Sequence, residues 1–263
     1  MSEFEVHDET DISTPESESS AHIEEISFQS ENYLLKGTLH LPKKVDHPPI
    51  IIGSHGLFSD RQSPKQIELA NLCNEHGIGF FRFDHRGCGE SEGEFKEVTT
   101  FENRCNDLTS AVKAVRERGD IGRWTGLFGS SLGGAVCLAV FKRLEIDAVI
   151  TLAAALRSGP ILKNIQNLEE HRDIEEKVDL NRLRFDISEK VSGIHHILIF
   201  HGDSDRVVPP SEAHLIYQKS VMPKRLIMLR RGDHRLTVPE NQEKFIRESV
   251  AWYKTCYVER KHR

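Results

Sequence analysis

The stretch Trp124-Thr125-Gly126-Leu127-Phe128-Gly129-Ser130-Ser131-Leu132-Gly133-Gly134 constrains this chain more than any other. It runs apolar, then small and polar, then into a helical pattern, and so predicts a strand that turns sharply into a helix. Its centre, Gly129-Ser130-Ser131-Leu132-Gly133, fits Gly-x-Ser-x-Gly. In a strand-turn-helix context that motif is a nucleophile elbow, with Ser131 at the turn. So tight a turn brings strand and helix together, and a side chain at either flanking glycine would clash. The helix start behind Ser131 adds a positive dipole end and free backbone N–H groups where an oxyanion would form. Alone, the pentapeptide is a modest signal, because a plain glycine-rich turn satisfies it equally.

The surroundings strengthen it. Apolar runs without alternation recur at residues 50–52, 78–83, 146–155 and 195–200. Such runs belong to strands covered on both faces. Helical patterns separate them. Ser63-Pro64-Lys65-Gln66 reads as an N-cap, a first-turn proline and a capping-box glutamine, and Gly77 ends the helix that follows. Thr99 and Glu102 read as a second capping box, ahead of Phe101, Cys105, Leu108, Val112 and Val115 on one helical face. Further helices are expected over residues 132–143 and 211–220 and from Pro239 onward, with a last strand over 225–229. Residues 26–32 and 34–41 read as an antiparallel pair joined by a short turn. The alternation predicts an α/β chain, with a doubly wound, mostly parallel sheet. Residues 156–190 stand apart, being charged, weakly periodic and too long for a plain connection. They are expected to form a short lid or insertion, with Ile161, Leu162, Ile165 and Leu168 to pack over a site.

Composition narrows the function. The chain of 263 residues is long enough for one large α/β domain, expected over 26–263. Residues 1–25 hold nine acidic residues and no Lys or Arg, and few large apolar ones. They cannot bury enough surface to offset their ordering entropy and are expected to be a disordered acidic tail. The net charge of −6 therefore resides in the tail, and the rest is close to balanced, which gives no case for nucleic acid. No apolar run is long enough for a membrane span. The five cysteines show no Cys-x-x-Cys spacing, and the N-terminus lacks the basic and apolar regions of a secretory signal. Both features fit a reducing, cytoplasmic setting. Cys88, in a glycine-rich loop, is the one candidate reactive thiol. No metal-ligand spacing and no phosphate-binding glycine motif occurs, so no metal or cofactor is expected.

In a sheet of this kind, ligands bind outside the carboxyl ends of the strands. The polar residues just after each strand are His55-Gly56-Leu57, residues 84–91, Ser131, Asp203 and Asp205, and His234. A serine, an acid and a histidine thus follow three strands on one edge, in the chain order Ser, Asp, His. That order is expected of an α/β hydrolase, and differs from the trypsin and subtilisin orders. Serine is a weak nucleophile until a base takes its proton, a task for His234. An acid fixes the imidazole tautomer. The backbone N–H groups of Leu132 and Leu57 are the candidates for an oxyanion hole.

Five stretches carry a resemblance: His55-Gly56, Asp84-His85-Arg86-Gly87-Cys88-Gly89-Glu90-Ser91, the elbow, His201-Gly202-Asp203-Ser204-Asp205-Arg206-Val207-Val208-Pro209, and His234 after Gly232-Asp233. By these the chain resembles small serine hydrolases of the α/β-hydrolase superfamily. The likeness is to feruloyl and cinnamoyl esterases, and more loosely to prolyl-oligopeptidase-like hydrolases. The resemblance implies Ser131 as nucleophile, Asp205 rather than Asp203 as acid, and His234 as base. It implies a small-molecule ester as substrate, with a thioesterase or an acyl-aminopeptidase using the same triad as alternatives. Residues 156–190 are shorter and more charged than the lid of feruloyl-type esterases. A binding protein that keeps the fold is the reading from another class.

Overall fold

Three isoleucines in a row show how the sheet is covered. Ile50, Ile51 and Ile52 lie in strand β3 (Ile50–Ser54) and are fully buried. Ile50 and Ile52 enter one hydrophobic core, and Ile51 enters a second. Side chains along a strand alternate between faces, so a run with no polar gap needs an apolar layer on each side. The computed structural model describes residues 21–167, 176 and 178–261.

The described strands are β1 (Ala21–Ser30), β2 (Tyr33–Pro42), β3, β4 (Gly79–Phe83), β5 (Thr125–Ser130), β6 (Ala148–Leu152), β7 (Ile197–Gly202) and β8 (Lys224–Leu229). They form one sheet in the order β1-β2-β4-β3-β5-β6-β7-β8. β2 pairs antiparallel with β1 and β4, and the pairings from β4 through β8 are parallel. The α-helices named among the described residues are α1 (Pro64–Glu75), α2 (Phe95–Val98), α3 (Phe101–Arg116), α4 (Leu132–Val140), α5 (Ser158–Asn167), α6 (Pro210–Lys219) and α7 (Pro239–Lys261). Leu108, Val112, Val136 and Ile216 bring α3, α4 and α6 onto one face. Leu69, Cys73, Phe245 and Tyr253 bring α1 and α7 onto the other. Tyr253 donates its buried hydroxyl to the Leu127 carbonyl at 2.6 Å, which ties α7 to the central strand. This is the α/β-hydrolase fold. No helix among the described residues is long and apolar enough to cross a membrane.

Three local expectations are corrected. Ala21 to Glu25, which the sequence reading places in the tail, lie in β1 and pair with residues 38–42 of β2. Their acidity is carried outward: Glu25 accepts from the Thr38 hydroxyl at 2.7 Å, and Glu24 pairs with Arg118. An edge strand of this sort needs few apolar residues, which is why composition alone reads as tail. Residues 1–20 lie outside the described residues. Ser63 precedes α1 but makes no side-chain cap. Thr100, not Thr99, caps α3, with its hydroxyl accepting from the Asn103 N–H at 2.9 Å.

The segment 156–190 holds α5 and a short 3-10 helix, Leu180–Leu183. Ile161 and Leu162 of α5 cluster with Leu57, Leu132, Val178, Leu183 and Val207. The described part therefore packs against the two residues proposed from sequence for the oxyanion hole. Leu168 and the Ile165 side chain lie outside what is described.

Candidate active site

The elbow is where the chain bends hardest. Ser131, between β5 and α4, has φ 53° and ψ −120°, a region side-chain-bearing residues avoid. The glycines around it make the approach possible. A Cβ on Gly133 would run into the carbonyls of Ser54 and His55, and one on Gly129 into the backbone of Gly133. The strained turn lifts the Ser131 side chain above the sheet edge, where β7 and β8 also end.

The loops after those two strands supply its partners. His234 Nε2 lies 3.1 Å from Ser131 Oγ, and His234 Nδ1 lies 2.8 Å from Asp205 Oδ2. A carboxylate only accepts, so Nδ1 carries the imidazole proton and Nε2 is left as the acceptor facing Ser131. The other Asp205 oxygen accepts from the backbone N–H groups of Val207 and Val208, at 2.8 and 2.9 Å. His201 Nε2, which donates to the Val208 carbonyl at 3.0 Å, also lies 3.4 Å from Asp205 Oδ2. Burial pushes the Asp205 pKa up, but the hydrogen bonds from His201 and His234, with that of Val208, outweigh it. The carboxyl is held well below the usual carboxylate range.

The rival positions are accounted for. Asp203, the other acid of its loop, accepts from the Arg231 N–H and the Ser204 hydroxyl, whereas the bond to His234 is made by Asp205. Asp84 braces its own loop: it accepts from the backbone N–H groups of Arg61 and Glu90, and it pairs with the Arg61 guanidinium. Asp147 accepts from the Thr125 N–H at the opposite end of the strands. Cys88 is buried, and burial raises its pKa, so it is not an activated thiol. All five cysteines are free and buried.

Ser131 and His234 open into a cleft of about 800 Å³ that Gly56, Leu57, Phe58, Lys65, Leu152 and Arg206 also line. The Leu57 loop lies directly beside the serine: a Cβ on Gly56 would sit 3.6 Å from the Ser131 Cβ. Two features of this region are absent from the sequence reading. Arg104, fully buried on α3, reaches the carbonyls of the loop 55–57. Lys65, half-buried, donates to the Arg235 carbonyl at 2.8 Å on the cleft wall. Neither follows the end of a strand, so position at a strand end does not single it out in the sequence.

A serine, a histidine and a buried carboxylate joined in this order on this sheet define an α/β hydrolase. The Hydrolase_4 family, described as serine aminopeptidase S33, matches residues 46–178, half of the chain, and the chain belongs to that family. The match includes Ser131 and stops short of Asp205 and His234. Among curated relatives, the protein YfhR of Escherichia coli O157:H7 is 29% identical over 193 residues, which are 70% of this chain and 62% of YfhR. The chain thus spans about six tenths of the length of that relative. The mouse palmitoyl-protein thioesterase ABHD10, mitochondrial, is 28% identical over 212 residues, covering 72% of this chain and 69% of ABHD10. Of solved structures, mouse ABHD10 superimposes with a TM-score of 0.67 at 25% identity, over 89% of this chain and 99% of that one. Est1E of Butyrivibrio proteoclasticus, solved with ferulic acid, shares the fold, with a TM-score of 0.72 at 19% identity over 88% and 98% of the two chains.

Proposed function

We propose that this chain is a serine hydrolase that cleaves small carboxylic esters through an acyl-serine intermediate. The observation that carries the reading is the continuous line Ser131 Oγ, His234 Nε2, His234 Nδ1, Asp205 Oδ2, with spacings of 3.1 and 2.8 Å across the two hydrogen bonds. His234 takes the Ser131 proton as Oγ bonds to the ester carbonyl carbon. The carbonyl π electrons move onto oxygen, and the N–H groups of Leu132 and Leu57 receive that oxyanion. Collapse expels the alcohol, which leaves with the proton from His234. Water then repeats the sequence on the acyl-serine and releases the acid. Asp205 holds the tautomer and stabilises the imidazolium. The described part of residues 156–190 acts as a short lid beside the acyl group, with Ile161 and Leu162 packed against Leu57, Leu132 and Val207. Five free, buried thiols suit a reducing compartment such as the cytosol.

A thioester is the second reading, favoured by the likeness to the ABHD10 thioesterase. The same groups serve it, since a thiolate leaves more readily than an alkoxide. An aminopeptidase, the activity in the family's name, has less support. It needs an anion to hold the substrate ammonium. The carboxylate on the cleft wall, Asp233, already accepts the N–H and the hydroxyl of Thr237. The test is steady-state hydrolysis of p-nitrophenyl acetate and of an acetyl thioester. The reading expects turnover of either by wild type and a loss of about 10⁴-fold or more in kcat for Ser131→Ala. Full activity in the variant contradicts it.

A further inference from the structure

Among the described residues no carboxylate pairs with the buried guanidinium of Arg104, and the Asp107 charge acts on it only from a distance. The Arg104 side chain is among the largest fully buried ones, and its hydrogen-bond acceptors are the carbonyls of three consecutive residues and one sulfur. Nη1 donates to His55 O at 3.4 Å and to Gly56 O at 3.3 Å. Nη2 donates to Leu57 O at 3.1 Å and to Cys88 Sγ at 3.4 Å. Nε has no partner. Taking a cation out of water is expensive, and burial outweighs the more distant Asp107 charge, so the Arg104 pKa is lowered. A device so costly to the fold is best explained by what it holds.

What it holds is the direction of one peptide group. The Gly56 carbonyl receives a second donor, His55 Nδ1, at 2.8 Å. The donor role is fixed from the other side of the ring, because His55 Nε2 accepts the His85 backbone N–H at 3.2 Å. Two donors therefore hold the Gly56 oxygen, one from its own loop and one from α3. The peptide unit is planar and trans, so the N–H of Leu57 points the opposite way from the Gly56 carbonyl. That N–H sits on a loop in van der Waals reach of Ser131.

We infer that Arg104 is a positioning residue. By gathering the carbonyls of His55, Gly56 and Leu57 on its own side, it turns the Leu57 N–H out of the fold and toward the oxyanion that forms on a substrate bound at Ser131. His55 acts with it as the second donor. The inference rests on the proposed role of Ser131. It explains why α3 sends a cation across to this loop. A preorganised donor costs no reorientation when the charge appears, which is where such a site gains rate. The effect therefore falls on the transition state and spares ground-state binding.

The test compares wild type, Arg104→Gln and Arg104→Lys as full chains on p-nitrophenyl acetate. Affinity for an alkyl trifluoromethyl ketone, whose hemiketal oxygen takes the oxyanion's place, is measured alongside. Arg104→Gln is expected to lose about 10²-fold in kcat, the usual loss for one oxyanion donor, with KM within about threefold. Ketone affinity is expected to fall by the same factor as kcat, and the pH–rate profile to keep its shape, because His234 and Asp205 are untouched. Arg104→Lys, which keeps the cation, is expected to recover part of the loss. Should Arg104→Gln fail to fold, Arg104→Lys and His55→Asn are read for the same split between kcat and KM. A folded variant with kcat within about twofold of wild type, or a loss carried by KM or by a shifted pH profile, overturns the inference. Wild type inert to both the ester and a fluorophosphonate overturns the reading of Ser131 and the inference with it. Active wild type beside an unaffected variant overturns the inference alone.

Discussion

Among the described residues stand two Ser, His, Asp arrangements, of which one opens to a cleft and the other is buried. In the first, His234 lies 3.1 Å from Ser131 and 2.8 Å from Asp205. In the second, His85 Nε2 lies 2.9 Å from Ser54 Oγ, and His85 Nδ1 lies 3.5 Å from Asp107 Oδ2. The residue types match and the surroundings differ. His234 is 20% exposed, whereas the side chains of His85 and Asp107 are wholly buried. Asp205 spends its second oxygen on backbone N–H groups and leaves the first for histidine. Asp107 is claimed by Arg86, through Nε, Nη2 and the backbone N–H, and by the Ser30 hydroxyl. Burial lowers the His85 pKa to about 4 against the raising effect of Asp107, so the ring stays neutral. Burial raises Asp107, but the neighbouring His85 and the hydrogen bonds and charge of Arg86 hold it at about 2. Matching residue types therefore do not suffice for the proposed role: the Ser131 set adds a strained, partly exposed serine and a carboxylate oxygen facing two histidine nitrogens, and the Ser54 set has neither. The Ser54 set is a brace between α3, β3 and the loop after β4.

The comparison can be broken at either end. Ser131→Ala is expected to remove activity by about 10⁴-fold or more while leaving the thermal midpoint within a few degrees of wild type. Asp107→Ala should do the reverse in kind. It removes the buried carboxylate partner of Arg86 and leaves that guanidinium only the half-exposed Glu31 and the Ser30 hydroxyl as hydrogen-bond partners; loss of one partner from a buried pair costs at most about 3–5 kcal/mol, read as a lower denaturant midpoint. A midpoint unchanged by Asp107→Ala would show that the brace bears no load.

Acid should reach the brace through its histidine. The folded His85 pKa of about 4 lies below the ordinary value of 6.5, so the unfolded chain binds the proton more readily. Stability from this group is full above pH 6.5 and is lost as pH falls toward 4, by roughly 3 kcal/mol in all. Asp107 adds a second loss only at lower pH, as the medium passes from the ordinary carboxylate range down through about 2. Urea midpoints measured from pH 7 to 4 should decline in wild type and decline less in His85→Gln. Equal slopes would remove His85 from the account. Buried His40, also lowered to about 4 by burial and by Arg82, accounts for part of the slope that remains.

The smallest effect is expected at Ser54. Ser54→Ala removes one buried hydrogen bond and should cost about 1 kcal/mol of stability, with kcat unchanged within about twofold. A large loss of activity there would bring the buried set back into consideration as part of the reaction.

The two sets also differ in how far they can be read from sequence. Ser131, Asp205 and His234 each follow the carboxyl end of a strand, and the strands announce themselves as apolar runs. Chain order then suggests which side chains meet. The Ser54 set has no such signature. Asp107 lies mid-helix on α3, and its contact with His85 depends on how that helix is rotated against the sheet. Arg104, one turn earlier, is hidden for the same reason: a charged residue within an amphipathic pattern reads as solvent-facing. The start of β1 is missed for a different cause, since an edge strand with outward glutamates has the composition of a tail. Element types follow from local periodicity, whereas buried polar contacts depend on packing between elements distant in sequence.

Activation of Ser131 by His234 and Asp205 is what the proposed hydrolysis depends on. Covalent labelling of the folded chain with a fluorophosphonate, read by intact mass on wild type and Ser131→Ala, tests it most directly. The account predicts a single adduct on wild type and none on the variant. Folded wild type without an adduct, or an adduct of equal yield on Ser131→Ala, would contradict it and move the fold-retaining binding protein ahead.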